Sequence, residues 1–176
     1  MQWLRFAALV VIVSVLQAGF LDRIALSDFD IKPDLLFILV VFFSICGISE
    51  AKKVRSGAWQ LDLTEAVIAS FTIGLAADIV ALPIGPRVLA FGIIGTCLAN
   101  LHRVLVVRWV VYQAFVIFIS SILAYLLVNL LCMLQGQHPF SLRTILWTSL
   151  YSAVLGPFLF LPCAWWMGIK TSRFSR

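Results

Sequence analysis

Six apolar stretches fill this chain and leave only short polar connectors between them. Segments of that length and composition belong in lipid, and no other feature constrains the fold so strongly. Hydrophobic residues make up 62% of the chain and charged residues 12%, which leaves no room for a sizeable water-soluble domain. Lipid offers no hydrogen bonds, so the backbone must satisfy itself within helices or a closed barrel. The apolar runs are continuous rather than alternating, which selects helices. The expected fold is therefore all-α: a single bundle of six transmembrane helices near 4–21, 34–49, 63–82, 88–101, 109–133 and 144–168. The second and fourth are short against the roughly 20 residues a crossing needs, so flanking polar residues are expected to set their ends.

Local signals support these boundaries. Asp62 and Glu65 have the spacing of a capping box before the third span. Pro33-Asp34 opens the second with a proline at a first-turn position and a carboxylate at the positive end of the helix dipole. Pro83-Ile84-Gly85-Pro86 stops the third span and turns the chain into the fourth.

The connectors set the orientation. Arg5, Lys52, Lys53, Arg55, Arg103, Arg108, Lys170, Arg173 and Arg176 fall on one side, which makes nine. Arg23, Lys32, Arg87 and Arg143 fall on the other, together with Asp22, Asp28 and Asp30. By the positive-inside rule both termini are expected in the cytoplasm. Trp3, Trp59, Trp109, Trp165 and Trp166 lie near the cytoplasmic ends and Trp147 near an external one, as an interfacial belt would. Leu16-Gln17-Ala18 places a large residue where signal cleavage wants a small one, so the first span reads as a retained helix. The basic segment at Lys52, Lys53 and Arg55 is expected along the cytoplasmic headgroups, with a solvated topogenic loop as the alternative.

Reactive groups are few. Cys46, Cys97, Cys132 and Cys163 are isolated, and His102 and His138 lie on opposite sides of the membrane, so no metal or cofactor is expected. No phosphate-binding loop, nucleophile elbow or zinc-protease motif occurs, and the chain reads as a non-enzyme. Asp78 is the one carboxylate well inside an apolar run, whereas Asp34 is accounted for as a helix-start residue. An aspartate costs about 2.5–3.5 kcal/mol at the membrane centre, and a helix C-terminus adds to that cost. The expected compensation is a clamp in which Asp78 accepts from Arg87 or from the amides of the turn, Gly85 among them. A partner contact or an ion relay would be the alternatives.

Ser70, Gly74 and Asp78 recur at intervals of four with Ala66, and Gly92, Gly95 and Ala99 form a matching small surface on the next span. Small faces let helices approach closely, so the third and fourth spans are expected to be the packed heart. Asn100 and Asn129 are expected to find partners inside the bundle. Gly156-Pro157 and Pro162 are expected to kink or break the last helix.

Three segments together carry a family resemblance: Lys32-Pro33-Asp34-Leu35-Leu36, Gly74-Leu75-Ala76-Ala77-Asp78 and Pro83-Ile84-Gly85-Pro86. With them the chain resembles the MreD family, small membrane proteins of the bacterial rod-shape complex. The matching motifs cover roughly residues 32–95, and residues 50–65 look like an insertion relative to the family. The resemblance implies a non-enzymatic scaffold in the inner membrane. Its partners would be an MreC-like bitopic protein, a SEDS glycosyltransferase and a penicillin-binding protein, with the MreB filament reached indirectly. It also implies a fold like that of the substrate-binding subunits of energy-coupling-factor transporters. That kinship supplies the alternative function, a small-molecule-binding transporter subunit. Such subunits tend to dock through Ala-x-x-x-Ala motifs on the first helix, whereas here only Ser14-x-x-x-Ala18 has that spacing.

Overall fold

A computed structural model describes residues 2–19, 32–49, 63–81, 85–101, 110–136 and 141–167. The described residues form six helices: α1 (Gln2–Gly19), α2 (Leu35–Ser49), α3 (Leu63–Ala81), α4 (Pro86–Leu101), α5 (Val110–Leu134) and α6 (Leu142–Met167). Three contain stretches long and apolar enough to cross a membrane: Thr64–Ala81 in α3, Val111–Leu134 in α5 and Leu142–Met167 in α6. The remaining three are apolar but shorter.

The central element is α2. It packs against all five other helices, which close a ring around it in the order α1, α3, α4, α5, α6. Every residue from Leu36 to Ile45 is buried. The cause is compositional, because a helix that is apolar on every side gains only by being surrounded. Its rings are shared with its neighbours: Phe37 meets Phe91 of α4 edge-on at 5.2 Å, Phe43 meets Phe6 of α1 at 5.0 Å, and Phe42 meets Phe160 of α6 at 5.3 Å.

This corrects the expectation that α3 and α4 form the heart. They do make the most extensive pairing in the bundle, but they stand in the ring. A face of small residues reports how closely two helices approach, not where they sit. Gly74 shows the approach directly, since a Cβ added there would lie 2.9 Å from the Cα of Val88. Gly92 faces the ring of Phe71, and Gly95 faces the Ser70 side chain, itself fully buried with its hydroxyl bonded to the Ala66 carbonyl at 2.8 Å. Ala99 is buried on the same helix.

Two further expectations change. Of the kink or break expected in α6, the break does not occur, since the helix continues through Pro157 and Pro162. Each proline deletes one backbone bond, but the rest of the ladder and the packing carry the helix across. Asn100 is exposed in the last turn of α4 rather than held inside the bundle, whereas Asn129 is half-buried and partnered. Helix α4 also starts earlier than expected, at Pro86, because proline suits the first helical position.

Candidate functional site at two buried carboxylates

Asp78 has no exposed surface. Its Oδ2 accepts from the amides of Gly85 at 2.7 Å and Val88 at 3.0 Å, and its Oδ1 accepts from the amide of Arg87 at 3.0 Å. These amides belong to the start of α4, where backbone donors have no intrahelical acceptor. One carboxylate from the end of α3 therefore closes the first turn of α4, with its negative charge at the positive end of that dipole. The guanidinium of Arg87 bonds instead to the Ala77 carbonyl at 3.4 Å. The charge-assisted bonds from the backbone supply what the unfavourable end of α3 withholds. Gly85 turns the chain with φ of 122°, a left-handed region that side chains resist.

Asp34 does more than begin a helix. It is only 2% exposed, and its Oδ1 accepts from the amide of Phe37 at 3.0 Å, an N-cap bond. The same oxygen accepts from Gln17 Nε2 on α1 at 3.2 Å, and Oδ2 accepts from the Tyr125 hydroxyl on α5 at 2.8 Å. The Asp34 amide donates to Ser152 Oγ on α6 at 3.0 Å, and Gln17 Oε1 accepts from the Leu36 amide at 3.0 Å. Gln17 thus donates to the carboxylate and accepts from the helix, which fixes the orientation of its amide.

The depth of this site explains why α2 is short. Tyr125 stands nine residues before the end of α5, and Ser152 ten after the start of α6. At 1.5 Å per residue that puts Asp34 about 14 Å inside the ends of those helices. An uncapped helix start at such a depth would leave amide donors facing apolar side chains, at several kcal/mol each in an environment without water.

Between them, the two carboxylates engage every helix. Asp34 ties α1, α5 and α6 to α2, and Asp78 ties α3 to α4. Their oxygens are occupied by backbone amides and neutral side-chain donors, an arrangement that fixes geometry. Among the described residues no three of His, Cys, Asp and Glu gather in a way that could hold a metal ion.

The sequence reading missed Gln17, Tyr125 and Ser152. A signal existed for two of them, since Gln17 and Tyr125 are polar groups inside apolar runs and so demand partners. The Lys52, Lys53 and Arg55 segment, Asp62, His102, His138, Trp59, Trp109 and the side chain of Cys46 lie outside the described residues. Cys97 is exposed, Cys132 buried and Cys163 half-buried, all as free thiols.

Fold and site together define an all-helical protein of membrane type, closed at its helix ends by buried carboxylates. Comparison with known proteins adds no closer assignment: no family model, no curated protein and no solved structure matches the chain.

Proposed function

We propose that this chain is a non-enzymatic, six-span scaffold of the bacterial cell-elongation complex, held in the cytoplasmic membrane with both termini inside. One observation carries the reading. The short motifs behind the MreD resemblance contain Asp34, Gly74, Asp78, Gly85 and Pro86, and these are the residues that close and pack the helix ends. A sequence motif that serves helix placement suits a protein whose product is a fixed surface. Six apolar stretches with nine basic residues on one side and four on the other support the topology. The connectors are short, so recognition falls mainly on lipid-facing helix surfaces meeting the transmembrane helices of partners.

In this reading the chain binds an MreC-like bitopic protein and helps place the SEDS glycosyltransferase and penicillin-binding protein that extend the lateral wall. The test is a mild-detergent pulldown of the full chain with mass spectrometry. Co-purification of those wall-synthesis proteins is the expected result. Recovery of a paired ATPase with none of them would replace the scaffold with the transporter reading, and turnover by the purified chain, absent from a misfolded control, would overturn both.

A further inference from the structure

Two buried groups take no part in either carboxylate site. Ser121 of α5 and Ser149 of α6 are fully buried, and neither hydroxyl has a hydrogen-bond partner among the described residues. Both lie on inward stripes of their helices, with Ile117 and Ala124 on α5 and with Ser152 and Gly156 on α6. Ile117 meets Gly156, whereas Tyr125, later in α5, and Ser152, earlier in α6, meet at Asp34. The two helices therefore run in opposite directions. Four residues on from Ile117 and four back from Gly156, Ser121 comes level with Ser152 and within about 4.5 Å in height of Ser149.

Ser121 lacks the usual outlet of a helical serine, the carbonyl four residues earlier. Here that is Ile117, whose oxygen already accepts from the Ser120 hydroxyl at 3.2 Å as well as from the helical amide of Ser121. Both of its lone pairs are in use. The chemistry required then narrows the ligand. Each free hydroxyl has a proton to give and lone pairs to receive with, so the group between them must both accept and donate. A cation would leave the two protons unspent, and Asp34, the carboxylate that would balance it, already takes bonds from Gln17, Phe37 and Tyr125. An apolar group satisfies neither hydroxyl.

We infer that Ser121 and Ser149 hold an internal water molecule between α5 and α6, with Ser152 as its third partner. Ser152 accepts from the Asp34 amide at 3.0 Å and keeps its own proton to give. A buried water makes about three hydrogen bonds, the number these serines supply. Lipid brings no water to such groups from outside, so a resident one is the partner that remains. Through Ser152 it joins the α5–α6 pair to the start of α2. The site is independent of the identity of any partner protein.

The test compares the full chain with Ser121→Ala, Ser149→Ala and the double variant by reversible unfolding in mixed micelles. Each single change is expected to raise the unfolding constant about five- to thirty-fold, because the water loses a partner and the remaining serines are left short. The double variant is expected to lose no more than the worse single one, since the shared water is gone in all three. An experimental structure of the unaltered chain in lipid nanodiscs, at a resolution that shows waters, should place one within about 3 Å of both hydroxyl oxygens. Alanine variants as stable as the parent or more so, or strictly additive losses, would overturn the site. So would density in which the two hydroxyls bond each other or turn onto helix carbonyls. Should the variants fail to fold, the density of the parent decides alone.

Discussion

Replacing Asp78 separates a cap that holds the α3–α4 turn from a carboxylate that is merely buried. Three backbone amides bond to it, at 2.7, 3.0 and 3.0 Å. A hydrogen bond to a charged group is worth about 1.5–3 kcal/mol net, but removing the charge also removes its burial penalty. Asp78→Leu leaves the amides of Gly85, Arg87 and Val88 without an acceptor, and the expected loss of stability is about 3–5 kcal/mol. Asp78→Asn keeps one oxygen, which can serve the two donors now on Oδ2, while its NH₂ faces the Arg87 amide and orphans a single donor. The expected loss is about 1–3 kcal/mol. Reversible unfolding in mixed micelles gives both values, and hydrogen exchange locates the damage in the first turn of α4. A leucine variant within about 1 kcal/mol of the parent, or an asparagine variant as harmful as leucine, would refute the reasoning.

Tyr125→Phe removes only the 2.8 Å bond to Asp34 and should cost about 1.5–3 kcal/mol in the same unfolding assay, with no loss of helix content by circular dichroism. Gly74→Ala forces a Cβ to 2.9 Å from the Val88 Cα and should cost about 1–3 kcal/mol, whereas Gly19→Ala, with nothing within 4 Å, should lie within about 0.5 kcal/mol of the parent or slightly above it. With the native cysteines replaced, a Ser175→Cys tail should resist an impermeant thiol reagent in intact cells and react after permeabilisation; labelling in intact cells would reverse the proposed orientation.

The Asp78 clamp could be anticipated from the sequence because it is local. Its donors lie seven, nine and ten residues along the chain, and the two prolines narrow which amides can give. The Asp34 network could not, because its partners lie 17, 91 and 118 residues away. A Pro-Asp pair before an apolar run looks the same whether the helix begins at the surface or about 14 Å inside. The position of α2 was legible in principle. Leu35-Leu36-Phe37-Ile38-Leu39-Val40-Val41-Phe42-Phe43 has no polar face to show to anything, but in a membrane protein every span is apolar, so this pattern loses its contrast. The close pairing of α3 and α4 was readable from Gly74, Gly92 and Gly95, and their place in the ring was not, since small residues encode distance alone.

The two carboxylates divide the polar ties of the bundle between two sets of helices. Asp34 binds α1, α2, α5 and α6 into one unit, and Asp78 binds α3 and α4 into another. Across the boundary the contacts are chiefly apolar, Phe37 on Phe91 and Val40 beside Gly95, with one hydroxyl pair, Ser44 and Ser70 at 3.5 Å. Within lipid such contacts gain nothing from leaving water and depend on packing alone. The boundary reaches the outside of the ring at two seams, α1 against α3 and α4 against α5.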